Sequence, residues 1–386
     1  MEDNAMAQLT EDQRLIVEAI DQICSRLVTD EYSALLDREA RYPREVMDAL
    51  AEGGWSALPV SEEAGGAGSS AQDLVVVHEA LARHNLVIGQ AYFSLWVLGA
   101  EAIERLGTVE QKERWLDAIL QGKNVAFALT EPGSGSDAAA LRTAAVRDGD
   151  DYVVNGSKVF ITGAAVADVI VTGVRTSTDG RKHDGITTLM IDPALPGVEI
   201  RKLAKMGLKG IDLCEVFLTD VRVPASDVLG EVDKGWSGML PGLANERLLL
   251  AALSVGALQN LLDLCLAYAQ ERSTFGKPIA GHQLIAEKLV EMRVAIEANH
   301  ALTMHAAALL DAGDPDASTV ASIAKLNATR DYVSATREAV QIFGGYGFSD
   351  EYAVSRHYRD CKYLEIGGGA NEIQKIVIAR GMGIRL

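Results

Sequence analysis

The spacing of apolar residues changes twice along the chain, and this change constrains the fold more than any other feature. Up to about Gly122, apolar residues recur at the three- and four-residue spacing of helices, as in the run from Leu15 to Ile23. From about Val125, short runs of β-branched residues alternate with turn residues. After Gly235 long helical patterns return. The sequence therefore predicts an α+β chain with a helical unit, a β unit and a second helical unit.

The chain is long enough to need more than one hydrophobic core, since it has 386 residues of which 48% are hydrophobic. We expect residues 1–122 to form an N-terminal α-helical domain, residues 123–234 a middle antiparallel β-domain, and residues 235–386 a C-terminal four-helix bundle. Within the β-domain, Asn155-Gly156 separates two β-branched runs. This pattern is typical of a type I′ hairpin turn.

Composition excludes several classes of protein. The formal net charge of −18 argues against binding to nucleic acid or to anionic membranes. The most apolar segment, Leu248 to Ala269, contains polar residues and is expected to be a buried helix rather than a membrane span. The four cysteines are scattered and the N-terminal residues form no signal sequence, which favours a reducing cytoplasm. The seven histidines show no metal-binding spacing, so we assign no metal site.

A loop rich in glycine and serine, FALTEPGSGSD, extends from Phe127 to Asp137. Its glycines match the spacing of a dinucleotide-binding turn, but Pro132 precedes them and β-structure is predicted after them, where that turn needs a helix. The loop can instead present backbone N–H groups and the Thr130 and Ser136 hydroxyls to a polar planar ring. On these residues alone, an ordinary surface loop is the alternative.

Five segments, in the same order and at similar spacing, resemble the acyl-CoA dehydrogenase family: FALTEPGSGSD, NGSKVFITGA, ERSTFGKPIAGHQ, QIFGGYGF and RDCKYLEIGGGANEIQKIVIAR. The resemblance covers essentially the whole chain. It implies the three-domain fold given above, FAD as cofactor, and a homotetramer built as a dimer of dimers. It also implies an acyl-CoA or acyl-carrier-protein thioester as substrate and an electron-transferring flavoprotein as partner.

The same resemblance implies which residues contact the cofactor. It implies that one face of the flavin ring and the neighbouring thioester contact Phe127, Leu129, Thr130, Gly135 and Ser136. On the other face of the ring it implies Phe160, where the family more often has tryptophan, and Thr162. Toward the pyrophosphate and adenine it implies Arg272, Phe275 and Gln283 from one subunit and Gln341, Gly344 and Gly345 from its partner.

One departure from the family pattern decides the chemistry. Removal of an α-proton from a thioester needs a carboxylate with a pKa near neutrality, and most of the family carries it in a Tyr-Glu-Gly-Thr segment. This chain has Gly-Gly-Gly-Ala there, so Gly368 stands where the glutamate would be. Members resembling isovaleryl-CoA and long-chain acyl-CoA dehydrogenases place the base on the first long C-terminal helix, before an arginine. Glu246 fits that position, and Glu365 is the rival.

The resemblance also implies what the neighbours of the base would do. Arg247 would help to hold the CoA moiety, Ser136 would contact the substrate, and the Gly368 N–H would stabilise the thioester oxygen. Gly367 stands where the family often has tyrosine, so we expect a roomy site that favours branched, cyclic or otherwise bulky acyl groups. The alternatives are a flavin oxidase, monooxygenase or desulfinase on the same fold, or a catalytically silent binding protein.

Overall fold

The computed structural model describes residues 9–239 and 242–385. The extreme N-terminus, residues 1–8, on which part of the expectation about a signal sequence depended, lies outside the described residues. The N-terminal unit consists of helices α1 (Glu11–Leu27), α2 (Asp30–Glu39), α3 (Arg44–Glu52), α4 (Ala71–His84), α5 (Leu86–Tyr92), α6 (Leu98–Leu106) and α7 (Val109–Leu120). A π-helical turn, Phe93–Val97, joins α5 to α6.

The middle unit is a single sheet of strands β1 (Val125–Ala128), β2 (Ala144–Asp148), β3 (Asp151–Thr162), β4 (Val169–Arg175), β5 (Ile186–Ile191), β6 (Val198–Lys202), β7 (Leu213–Pro224) and β8 (Val228–Leu229). The strand order is β6-β7-β3-β2-β4-β5-β8, with β1 paired to β4. The sheet is antiparallel except that β1 and β2 run parallel to β4. Each parallel pair has the long connection that such strands need, because β2 and β3 lie between β1 and β4 in the chain and β3 lies between β2 and β4.

The hairpin predicted at Asn155-Gly156 is wrong. Both residues lie inside the continuous strand β3, which has a bulge at this point opposite β7. A Cβ on Gly156 would stand 2.6 Å from the Thr143 Oγ1 atom, so the glycine allows a close approach between strands. The chain reverses earlier, between β2 and β3, where Gly149 has a φ of +63°.

The C-terminal unit consists of helices α8 (Gly235–Met239), α9 (Gly242–Glu271), α10 (Gln283–Asp311), α11 (Ala317–Phe343), α12 (Ala353–Ile366) and α13 (Asn371–Gly381), with a small hairpin of β9 (Ser273–Thr274) and β10 (Lys277–Pro278). Helix α11 packs against α9, α10, α12 and α13. The predicted helical bundle is therefore present, with α11 at its centre.

The N-terminal helices and the bundle share one hydrophobic core, because α4 packs along α9. The carboxylate of Asp311, at the end of α10, accepts hydrogen bonds from the first N–H groups of α4. The sheet encloses a separate core. Leu129, in the loop that follows β1, packs near Met239 and Trp236 of the C-terminal unit, and Tyr363 on α12 contacts Gln90 of the N-terminal unit. The candidate site is built around the loops that follow β1 and α12.

Two stretches are long and apolar enough to cross a membrane, Leu86–Leu106 and the stretch that contains α9. In the folded chain, 89% and 78% of their most apolar windows are buried. A helix that is apolar on all sides is usually a core helix when its neighbours cover it. The packing of α9 agrees with the buried helix that the sequence predicts.

Candidate active site

Glu246 lies near the start of α9 and points toward the glycine loop, which we define as residues 367–369 after α12. Its Oε1 atom lies 3.5 Å from the position that a Cβ on Gly368 would take. Within residues 9–239 and 242–385, the Glu246 carboxylate has no hydrogen bond or ion pair. The carboxyl group on the helix therefore stands next to the place where a side chain at residue 368 would begin.

The surroundings of Glu246 change its acidity. Burial raises the pKa of this carboxyl to about 7, and Arg247 and Lys325 oppose the rise while Glu101 adds to it. Such a pKa suits a group that must accept a proton near neutral pH. The environment thus favours a general base at this point of the chain.

Gly368 has no room for a side chain unless Leu250 moves. Its φ is +62°, and a Cβ there would stand 2.3 Å from the Leu250 Cδ1 atom. The Gln374 amide donates to the carbonyl oxygens of Gly368 and Gly369 at 3.1 and 2.7 Å, and Lys325 donates to Gly369 at 3.0 Å. The Gly368 N–H has no partner in the part of the chain that the structure describes. The loop is therefore fixed by its carbonyls and leaves one N–H available.

Glu365, the rival acid, is occupied by other residues. Its Oε2 atom accepts a hydrogen bond from Lys362 at 2.6 Å, and its Oε1 atom accepts a long one from Asn371 at 3.5 Å. Both oxygens already have donors. Glu246 is consequently the freer of the two carboxylates.

Arg247 is buried and is therefore not a solvent-exposed cation on the helix surface. Its Nη1 atom donates to Ser318 Oγ on α11 at 3.1 Å, and its Nε has no partner among the described residues. Burial lowers the pKa of the guanidinium, and the Glu246 carboxylate opposes this shift. A buried cation with an unused donor suits an anionic ligand.

A buried ion pair, which the sequence did not predict, connects the loop after β1 to strand β3. Lys158 is fully buried in β3 and donates to Glu131 Oε1 at 2.8 Å and to the Leu129 carbonyl at 3.2 Å. The Glu131 carboxylate also accepts from the N–H groups of Arg142 and Thr143. These bonds fix both ends of the glycine- and serine-rich segment, so its outer residues keep a defined position.

The exposed side of this region suits a flat ring. Phe160 is 58% exposed and is held at a φ of +61°, a conformation that a non-glycine residue adopts at a cost. A Cβ on Gly133 or Gly135 would meet no atom within 4 Å. Thr130 and Thr162 are partly exposed. An uncovered aromatic ring beside an open loop fits the isoalloxazine of the FAD that the resemblance implies.

The residues expected near the pyrophosphate divide into two groups. Arg272, Gly344 and Gly345 line one cavity of about 450 Å³, and a single protomer brings them together. The other three are exposed: Phe275 at the turn between β9 and β10, Gln283 at the start of α10, and Gln341 near the end of α11. The cavity places a guanidinium beside uncrowded backbone, which suits a phosphate-bearing ligand.

Tyr363 on α12 was also missed, although it connects the two halves of the site. Its hydroxyl accepts from the Gln90 amide at 3.2 Å, and its ring lies beside Gly367. Burial raises the pKa of this phenol to about 12, Glu246 adds to the rise, and Thr162 and Gln90 partly offset it. Gln90 is far from Tyr363 along the chain, so sequence spacing gave no indication of the contact.

Comparison with known proteins relates all three units of the chain to the same family. The sequence matches the family descriptions "Acyl-CoA dehydrogenase, N-terminal domain" over residues 10–123, "middle domain" over 126–221 and "C-terminal domain" over 233–383. It is 36% identical to the probable acyl-CoA dehydrogenase YngJ of Bacillus subtilis, over 97% of this chain and 98% of that protein.

Two further similarities support the match. The caffeyl-CoA reductase-Etf complex subunit CarC of Acetobacterium woodii is 36% identical, over 96% of this chain and 98% of that protein. The structure of butyryl-CoA dehydrogenase from Megasphaera elsdenii superposes with a TM-score of 0.92 at 33% identity, covering 97% of this chain and 99% of that one. The chain therefore belongs to the acyl-CoA dehydrogenase family of FAD-dependent oxidoreductases.

Proposed function

We propose that this enzyme dehydrogenates an acyl thioester between its α- and β-carbons and that Glu246 removes the α-proton. The contact between Glu246 and Gly368 carries the proposal, because the carboxyl on α9 stands where a glutamate at residue 368 would begin. A carboxyl with a pKa of about 7 is ionised in a large fraction of molecules at neutral pH and is still basic enough to take a proton.

The glycine loop would stabilise the charge that forms when the proton leaves. The Gly368 N–H is unpaired among the described residues, and its loop is fixed by Gln374 and Lys325. A preorganised backbone donor aimed at a developing oxyanion contributes roughly a hundredfold to a thousandfold in rate. Loss of the side chain at residue 368 leaves this contribution intact.

The cofactor would be held by the residues described above. Phe160, Thr162 and the loop after β1 would hold the ring of FAD, and Arg272 would pair with its pyrophosphate. When bound, FAD supplies the acceptor for the hydride that leaves the β-carbon. Arg247 would bind the anionic carrier of the thioester, whether CoA or an acyl-carrier protein.

The acyl group, in this proposal, is branched, cyclic or otherwise bulky, because residues 367–369 are all glycine and the loop beside the base projects no side chain of its own, while the Tyr363 ring bounds the space beside Gly367. The Acetobacterium relative is named as a caffeyl-CoA reductase subunit of an Etf complex. The caffeyl group in that name supports a bulky acyl group, and the Etf complex supports an electron-transferring flavoprotein as partner. We also propose the homotetramer that the family resemblance implies.

The base is tested by titrating the yellow protein anaerobically with linear, branched and cyclic acyl-CoAs and following the bleaching of the flavin. We expect Glu246→Gln to bleach roughly a thousandfold more slowly, as is usual when a general base is lost. Glu365→Gln, which removes the rival carboxylate, should bleach at the wild-type rate. Flavin bleaching at the wild-type rate in Glu246→Gln would show that this residue is not the base. In a separate aerobic assay, oxygen uptake at every turnover would indicate an oxidase.

The same experiment has a pH signature. Only the ionised carboxylate accepts a proton, so kcat/KM for flavin reduction should rise with pH through about 7 and level off above it. Glu246→Gln should lack this acidic limb. If the rise of kcat/KM with pH were unchanged in the variant, a group other than Glu246 would be responsible for it.

A further inference from the structure

The backbone conformation at Gly367 does not require glycine. Its φ of −66° and ψ of 158° are values that any residue adopts, in contrast to the left-handed Gly368. The space beside it is nevertheless filled. A Cβ on Gly367 would stand 3.0 Å from the Tyr363 Cζ atom and 3.2 Å from its Cε2 and Oη atoms. The end of the Tyr363 ring therefore occupies the place where a side chain at residue 367 would start.

The Tyr363 ring is held in that place from the N-terminal unit. Its hydroxyl accepts from Gln90 Nε2 at 3.2 Å, and the same amide donates to Ser94 Oγ at 2.8 Å. Gln90 is fully buried and Ser94 lies in the π-helical turn between α5 and α6. Single π-helical turns inside α-helices are frequent at functional sites. The ring is thus anchored by residues that cannot easily move.

Tyr363 also lies close to the reacting atoms. The α-carbon of a substrate has to come within reach of the Glu246 carboxylate, which stands next to Gly368. Glu246 Oε1 lies 3.5 Å from the Cβ position of Gly368, and Tyr363 Cζ lies 3.0 Å from the Cβ position of the adjacent Gly367, so the carboxylate and the ring flank the same loop. An acyl group whose α-carbon reaches Glu246 would therefore lie close to this ring.

We propose that Tyr363 is the specificity-determining residue of the acyl site, which takes branched acyl groups up to a size that its ring limits. Glycine at residue 367 then accommodates the ring and does not by itself widen the site. The inference rests on the proposed dehydrogenation and sharpens its substrate class. The phenol stays protonated at neutral pH, so it presents a neutral polar edge to the acyl chain and adds no charge beside the base.

The test compares Tyr363→Ala with Tyr363→Phe, which keeps the ring and removes only the hydroxyl. The measured quantity is the ratio of kcat/KM for cyclohexanecarbonyl-CoA to that for isobutyryl-CoA. We expect Tyr363→Ala to raise this ratio roughly tenfold or more, the usual effect of changing pocket volume by a few carbons. Tyr363→Phe should leave the ratio near the wild-type value. An unchanged ratio in the alanine variant would overturn the proposal.

A second measurement does not depend on turnover. Gly367→Ala should lower the thermal-unfolding midpoint because its Cβ meets the ring, and the same change should have little effect in the Tyr363→Ala background. Binding of the enoyl-CoA products, followed by the shift of the flavin spectrum, should show the same change of size preference. If the wild type bleaches with no thioester, the proposed dehydrogenation fails. Additive effects of the two substitutions and an unchanged binding preference would overturn the role of Tyr363.

Discussion

Glu246 on α9 and Gly368 in the loop after α12 are far apart in the sequence but adjacent in the folded chain. The helix supplies the carboxyl, and the loop supplies an N–H and no side chain. Leu250, one turn after Glu246, fills the remaining volume at that point. A carboxyl can therefore be supplied from the helix or from the loop, but the present packing admits only the helix.

This arrangement predicts a large cost for Gly368→Ala. The left-handed backbone costs a non-glycine residue about 1–2 kcal/mol, and overlap with Leu250 adds about 1–3 kcal/mol. Gly54→Ala is the matched control, since Gly54 has a φ of +79° but open space around its Cβ position. We expect the thermal-unfolding midpoint to fall further in Gly368→Ala than in Gly54→Ala. Equal shifts would show that Leu250 yields without cost.

At the scale of elements, the loop after β1 depends on the strand beneath it. Lys158 projects from β3 into the interior, and Glu131 meets it from the loop. Burial lowers the pKa of Lys158 to about 8, and the Glu131 carboxylate opposes the shift. Each charge compensates the other in the interior, and the N–H groups of Arg142 and Thr143 further stabilise the carboxylate.

Lys158→Met should therefore release the loop. Removing one partner leaves the Glu131 carboxylate buried without its cation, which typically costs about 3–5 kcal/mol. We expect a lower melting temperature and loss of FAD, measured as the flavin content of the purified protein. Lys182→Met is the control, because its ion pair with Asp137 lies on the exposed side of the same loop. Retention of FAD by Lys158→Met would contradict a role in holding the loop.

The elements themselves could be predicted from the sequence more readily than their contacts. Apolar periodicity indicated the helices and strands, because side-chain burial follows backbone geometry closely. The turn expected at Asn155-Gly156 failed because the same dipeptide also suits a bulge, and only the neighbouring strand decides between them. The pairing of Glu131 with Lys158 and the contact of Gln90 with Tyr363 depend on the folded topology, which local patterns do not contain.

At the scale of the whole molecule, an ion pair between a buried histidine and a partly buried glutamate joins the N-terminal unit to the bundle. His300 on α10 lies 2.8 Å from Glu79 on α4. Glu79 raises the pKa of the imidazole to about 9, burial opposes the rise, and Glu297 adds to it. The folded chain thus holds this proton more tightly than the unfolded chain does.

The consequence is a loss of stability in alkaline solution. Because the pKa is raised above its usual value of 6.5, the stabilisation is complete below that pH and disappears as the pH rises through about 9. The amount is on the order of 3 kcal/mol. The melting temperature of the wild type should fall between pH 6.5 and 9.5 more steeply than that of His300→Gln. His305→Gln, which changes an exposed histidine on the same helix, should behave like the wild type.

The order of the three units and the position of Glu246 could be inferred from the sequence through the family resemblance. Arg272 and Gly344 line the same cavity of one protomer, and their assignment to different subunits around one cofactor, which the resemblance implies, stays a prediction. It also gave no indication of Tyr363, because the effect of a glycine depends on which neighbour fills the space beside it.

The shared core of the first helices and the bundle has a consequence for biosynthesis. Helix α4 emerges from the ribosome long before α9, the helix that covers it. At roughly 5–20 residues per second, its apolar face is uncovered for on the order of 10–30 seconds. During that interval the nascent chain exposes a surface that chaperones recognise, so the yield of soluble enzyme in cells should depend on their supply.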